Sequence, residues 1–205
     1  MKKHFPLLFI ALTVFILNSC KKNDSSNPQY KIGDVAFGGI IFYLDADNSH
    51  GLVCSISDQS TNVTFSDAVV NPWPYWGINR NFLDSTIERG GASTDTILNK
   101  YGTSGNIAAS CRNYRGGGHN DWYLPTIDEL RQLYKNRTYV SQLSTGVYWS
   151  STSFGYSNVP YTVRVLNFNT GQAITYFTQM NSGYNSSISW WSPLPTANTR
   201  AVRKF

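Results

Sequence analysis

This 205-residue chain predicts an α+β fold with short antiparallel strands, two to three helices and long irregular loops. Three observations carry the prediction. Apolar and aromatic runs bounded by turn residues recur along the chain, as short strands do. Helical periodicity appears in only a few places, most clearly just after Pro125. Two stretches rich in Asn, Ser, Pro and Gly are longer than ordinary connections and read as irregular loops. Strands in runs, with few helices between them, indicate α+β in preference to alternating βαβ units.

The first element lies outside that fold. Lys2 and Lys3 precede a short apolar run over 5–17, which has signal-peptide proportions and is too short to span a bilayer comfortably. Leu17-Asn18-Ser19-Cys20 resembles the lipobox of bacterial lipoproteins, which makes 1–19 a lipoprotein signal peptide and Cys20 the lipidated first residue. An ordinary secretory signal with a chance cysteine is the alternative. Residues 20–29 then form the lipidated cysteine and a polar tether of flexible composition. Two acyl signals suffice for stable attachment without a spanning helix. Because Lys21 and not an aspartate follows the cysteine, the expected address is the outer membrane of a bacterial envelope, on either its periplasmic or its surface face. Residues 30–205 are long enough for a single domain with a sizeable core.

Within the domain, 38–45 reads as a buried strand, 46–50 as a turn and 51–57 as the return strand, with Leu52, Cys54 and Ile56 on one face. Residues 58–91 form a long connection containing Pro-Trp-Pro-Tyr-Trp-Gly at 72–77. Helices over 94–100 and 106–113 follow, the second placing Ile107, Cys111 and Tyr114 on one face, and glycines 116–118 end them. Thr126 and Glu129 then make a T-x-x-E capping box, Pro125 keeps the chain before it extended, and Ile127, Leu130, Leu133 and Tyr134 share a stripe. A helix over 127–136 results, its stripe docked on a sheet. Residues 147–152 are a strand, and 161–168 with 172–178 are a hairpin across Asn169-Thr170-Gly171. A second long loop, 181–198, precedes a last strand over 200–205.

Composition narrows the function. The formal charge of +5 falls by two with Lys2 and Lys3, and +3 on the processed chain does not argue for nucleic acid. Aromatic content is 15% and the only glutamates are Glu88 and Glu129. That is material for a binding surface and poor material for acid/base chemistry. No G-x-S-x-G elbow, H-E-x-x-H or metal-spaced cysteine cluster is present. Asp45, Asp47 and Asn48 look like the start of a calcium loop but lack its position-twelve acid, so they read as a turn, and no metal or cofactor is expected. Cys54 and Cys111 both point to the core, where they form either a disulfide closing a long loop or two separate buried thiols.

One set of motifs spans the whole domain in order. It comprises Ile32-Gly33-Asp34 with Gly38 to Tyr43, His50-Gly51-Leu52-Val53, and Gly117-Gly118 with Asp121 to Thr126 and Asp128-Glu129-Leu130, then Tyr148 to Thr152 and Arg200 to Arg203. Together they resemble the DUF1566 family, the domain at the C-terminus of the Legionella collagen-like adhesin. The resemblance implies a C-type-lectin-like fold distantly akin to the formylglycine-generating enzyme scaffold. For the adhesin it implies a trimeric head binding sulfated glycosaminoglycans. This chain has no Gly-X-Y stalk, and its oligomeric state stays open.

The sequence therefore predicts a lipid-anchored, non-catalytic envelope domain, adhesin-like, that recognises glycan or another surface ligand. Its alternatives are a structural or protein-interaction lipoprotein and a polysaccharide-active enzyme. Sugars stack on aromatic rings, and sulfated ones pair with Arg and Lys. The candidate contacts are Trp190, Trp191 and Tyr184 in the late loop, Tyr75 and Trp76 in the early one, and Arg112, Arg115 and His119 near the glycines. For Trp190 and Trp191 a role in the core is equally open. Trp122 and Trp149, which alternate within strands, are expected in the core, and Asp121 is expected to brace local backbone.

Overall fold

The computed structural model describes residues 30–64, 85–153, 162–177 and 196–205. The expected signal peptide, Cys20 and the tether lie outside them, as do Tyr75, Trp76, Tyr184, Trp190 and Trp191.

Among the described residues the chain is a mixed α+β structure with three helices and two sheets, of four and five strands. The first sheet runs in the order β1 (Val35–Ala36), β2 (Gly39–Leu44), β3 (Gly51–Cys54), β9 (Val202–Lys204), with every pairing antiparallel. The second runs β4 (Ser60–Val63), β8 (Ala197–Thr199), β5 (Val147–Trp149), β6 (Thr162–Asn167), β7 (Ala173–Phe177). In it only β5 and β8 pair in parallel. The helices are α1 (Gly90–Tyr101), α2 (Ile107–Arg112) and α3 (Ile127–Lys135).

The β2–β3 hairpin forms where its turn chemistry put it. Asp45 N–H donates to the carbonyl of His50 at 3.0 Å, and Asn48 closes the turn at φ +55°. β3 ends sooner than expected, because beyond Cys54 the Ser55 N–H turns to the Ala201 carbonyl at 2.9 Å. Ile56 consequently leaves the face assigned to it and is 42% exposed. The last strand pairs with β3, so both ends of the domain meet, and Phe37 stacks on Phe205 at 4.1 Å with the Tyr30 ring edge-on to each.

Two elements were not expected. β4 falls in the stretch read as a connection and β8 in the stretch read as a loop. Both are short and polar, with no alternating pattern to reveal them. What fixes them is each other. Asn62 N–H donates to Asn198 Oδ1 at 3.0 Å, and the Ser60 and Thr199 hydroxyls meet at 2.5 Å. α1 also begins earlier than its predicted start at residue 94, whereas α2 and α3 match their predicted ranges to within about a residue.

Apolar burial follows the pleat. Ile41 and Val53 join Ile97, Ile107, Trp122, Leu124, Trp149 and Val165 in one cluster, which takes in α1 and α2. Ile40, Phe42 and Leu52 join Tyr123, Ile127, Leu130, Leu133, Tyr148 and Leu166 in the other, which takes in α3. Successive strand residues thus feed opposite clusters, and both faces of β3 are buried. Each fully buried Leu or Ile on the α3 stripe contributes about 1.5–3 kcal/mol.

The same partition separates the thiols. Cys54 belongs to the α3 cluster and Cys111 to the α1–α2 cluster, and both are fully buried and free. The disulfide alternative is not formed. Burial pushes the Cys54 thiol up to about 12 and Cys111 upward as well, so both stay protonated at neutral pH.

Candidate functional site: the glycine turn and the capped helix

Most of the sequence-predicted site residues that fall among the described residues lie in the 112–129 stretch, and its two halves are built differently. In the first half the chain leaves α2 and makes one tight turn over Gly116–Gly118, with Gly117 at φ +64° and Gly118 at +76°. Gly118 N–H returns to the Arg115 carbonyl at 2.9 Å, and His119 N–H to that of Gly116 at 3.3 Å. The turn packs backbone to backbone on the β1–β2 turn. A Cβ on Gly117 would stand 2.4 Å from the Gly38 Cα, so only glycine allows the approach. From below, the Trp122 indole N–H donates to the Gly116 carbonyl at 3.1 Å.

That turn displays two of the three cationic candidates. Arg115 is exposed, and its Nη1 curls back to the carbonyls of Arg112 and Tyr114, each at 2.8 Å. His119 is half-buried at the other end of the turn. Arg112 is instead engaged within the protein. It forms an ion pair with Asp95 and donates to the Gly91 carbonyl at 3.3 Å, tying α2 to α1.

The second half points inward. Asp121 does not brace local backbone as expected; it pairs with Arg203 of β9, Nε to Oδ1, at 2.5 Å. Partial burial pushes the Asp121 carboxyl up, but the hydrogen bond and charge of Arg203 outweigh it, and the net shift is downward. Trp122 and Leu124 are fully buried as expected, and so is Trp149, whose indole N–H donates to the Val63 carbonyl at 2.9 Å. Tyr123 also turns into the core, because its backbone exchanges hydrogen bonds with Val202 at 2.8 and 2.9 Å.

At the start of α3 the capping box is complete. Thr126 Oγ1 accepts the Glu129 N–H at 3.1 Å, and Glu129 Oε2 accepts the Thr126 N–H at 2.8 Å. The remaining first-turn N–H groups are also taken, Ile127 by Thr152 Oγ1 at 3.0 Å and Asp128 by the Ser85 carbonyl at 3.2 Å. With those donors engaged, this helix end is no anion site. Glu129 does more than cap. Its Oε1 accepts the Glu88 N–H at 2.8 Å and the Tyr123 hydroxyl at 3.2 Å. Burial pushes its carboxyl up to about 7 despite these donors, and burial likewise raises the Tyr123 phenol.

Two further clusters lie elsewhere. Among the described residues, Asp45, Asp47 and His50 bring their donor atoms within 4.8 Å of one another, close enough to take a metal ion. Their bonding is that of a turn, since Asp47 accepts the Ser49 N–H at 3.0 Å and its hydroxyl at 2.7 Å, and Ser49 Oγ meets His50 Nδ1 at 2.8 Å. The Ser49 N–H and hydroxyl hold the Asp47 carboxyl below its usual range. The other cluster had no sequence signal. Asp58 and Arg200 form a buried ion pair at 3.3 Å, Tyr148 donates its hydroxyl to Asp58 at 3.0 Å, and Arg200 Nη2 donates to the Ser141 carbonyl at 2.8 Å.

Neither a scan against models of known protein families nor a search of curated proteins returns a match for this chain. Among the described residues no helix is long and apolar enough to cross a membrane.

Proposed function

We propose that this chain is a lipid-anchored, non-catalytic binding domain of the bacterial envelope, held by Cys20 to the outer membrane and recognising glycan or another surface ligand. One observation supports this reading above the others. All three carboxylates of the 121–129 stretch are held by protein partners, Asp121 by Arg203, Asp128 by Arg131 and Glu129 by its capping cage, whereas Arg115 and His119 remain at the ends of a rigid turn. A general acid or base must reach its substrate, and Glu129, whose carboxyl among the described residues is the one raised toward neutral pH, is sealed in the core. A guanidinium on a fixed turn suits charge-assisted binding of sulfate or carboxylate groups.

The motif resemblance supports the same reading through the DUF1566 family and its C-type-lectin-like fold. A fold of that kind hosts many functions, so the site has to carry the argument. In this reading Tyr75, Trp76, Tyr184, Trp190 and Trp191 supply the stacking surfaces. A glycan array that includes heparin fragments tests the proposal on the lipid-processed protein. Binding to acidic or sulfated glycans is expected, and silence across the array from folded protein counts against it.

A further inference from the structure

Among the described residues three large hydrophobic side chains are well exposed, and two of them lie at one place. Val35 is 74% exposed and Tyr139 61%, whereas the third, Ile56, sits beyond the end of β3. Val35 is on β1, an edge strand of the first sheet. It pairs with Ile40, whose side chain joins the α3 cluster, so Val35 takes the α3 face of that sheet. Tyr139 reaches the same face from the short turn Arg137–Tyr139 that follows α3. Asn136 ties this turn to β2 by donating its side-chain N–H to the Phe42 carbonyl at 2.9 Å, and a Cβ on Gly33 would stand 3.3 Å from the Tyr139 Cβ. A lone exposed apolar side chain needs no cause, but the position of this pair supplies one.

The domain begins beside it. Tyr30 packs edge-on against Phe37 and Phe205, at 5.0 and 5.7 Å between ring centres, which fixes where the chain enters, and the next few residues lead to Gly33 against Tyr139. In the lipid-anchored reading, residues 21–29 join Tyr30 to the acylated Cys20, so Tyr30 stays within about 35 Å of the bilayer even with that chain fully extended. A connection that short holds the adjoining face at a roughly millimolar effective concentration, enough to populate a weak contact. Charge favours the same contact. Lys21, Lys22, Lys31 and Arg137 belong to the connection and this face, against Asp24 and Asp34 as acids. Arg137 is exposed yet fixed, its Nη1 donating to the Tyr134 carbonyl at 2.8 Å and its guanidinium lying 4.0 Å over the Tyr134 ring. Tyrosine at headgroup level with Lys and Arg beside it is the composition of a membrane-contacting surface.

We propose that Val35 and the Arg137–Tyr139 turn form a membrane-facing surface that rests on the anionic bilayer holding Cys20, with Val35 and Tyr139 at headgroup depth and Lys31 and Arg137 among the lipid phosphates. The inference rests on the lipid-anchored reading and adds an orientation to it. The contact stops the domain from tumbling on its connection and fixes which of its faces a ligand can approach.

Cys54 and Cys111 are sealed in the core and Cys20 is acylated in this reading, so a thiol introduced at the surface is the one that takes a fluorophore. Val35→Cys and Tyr139→Cys are compared with Thr103→Cys on the exposed loop between α1 and α2, whose helices pack on the other face of the first sheet. Each lipid-processed protein is placed in vesicles of phosphatidylethanolamine and phosphatidylglycerol that carry a nitroxide on a fraction of the headgroups. Quenching at positions 35 and 139 is expected to exceed that at 103 by about threefold or more, and Lys31→Glu/Arg137→Glu should remove roughly half or more of the excess while the protein still floats with the vesicles. Equal quenching at all three positions, in protein whose intact mass shows a diacylated Cys20, overturns the surface and leaves the anchor standing. An unacylated chain that does not float overturns the anchor and the surface with it. Cross-linking of Val35→Cys to a second copy in place of quenching assigns the face to that copy and overturns the proposal as well.

Discussion

The two halves of the 112–129 stretch make an instructive pair. Both are rich in residues of functional type, and they meet opposite edges of the first sheet, the glycine turn at the β1–β2 turn and Tyr123 at β9. In the second half Asp121, Trp122, Tyr123, Thr126 and Glu129 are each bound to a protein partner and serve the scaffold. In the first, backbone contacts and the Trp122 indole beneath fix the turn, and Arg115 and His119 lie at its ends. Residue type therefore says little here until the partners are known. A carboxylate beside a tryptophan looks like a site and is a brace, while a glycine turn that looks like a spacer is what presents charge.

Substitutions can break or sharpen that contrast. The largest effect is expected from Trp122→Ala, which empties the space beneath the glycine turn and removes the donor to Gly116. A loss of about 3–5 kcal/mol is expected from urea unfolding. Next is the pH dependence carried by Glu129. Because burial raises its carboxyl to about 7, stability should decline as pH rises from 4.5 through 7, by at most about 3 kcal/mol. Comparing wild type with E129Q by thermal unfolding at pH 5 and 8.5 isolates that term, and parallel curves would remove it.

Thr126→Ala should cost about 1 kcal/mol through the lost cap, seen as a lower urea midpoint with an unchanged slope. The smallest change is expected from Asp121→Asn, whose carboxylate is half exposed in its pair with Arg203. A loss below about 1 kcal/mol, shrinking further in high salt, is the expected result.

How far the chain could be read from its sequence depended on the distance between partners. The capping box was legible because Thr126 and Glu129 lie on one helical turn, and the β2–β3 hairpin because its turn residues are contiguous. The alternation of Trp122 and Trp149 also placed both correctly in the core. β4 and β8 were not legible, since polar side chains from opposite ends of the chain hold them together and no apolar period marks either. The Asp58–Arg200 pair was hidden for the same reason. Ile56 was misplaced because a strand's end is set by its partner, here Ala201, and not by its own alternation. At Glu129 the sequence revealed the helix cap but neither the bonds to Glu88 and Tyr123 nor the burial that raises the carboxyl against them.

The central claim is that binding belongs to the open half of the stretch and stability to the closed half. It is tested most directly by measuring heparin-fragment binding calorimetrically for three proteins: wild type, the double variant Arg115→Ala/His119→Ala, and Thr126→Ala. The account predicts that the double variant unfolds within about 0.5 kcal/mol of wild type yet binds at least tenfold more weakly, while Thr126→Ala loses stability and keeps its affinity. Wild-type affinity in the double variant, or no measurable binding by wild type, would contradict it.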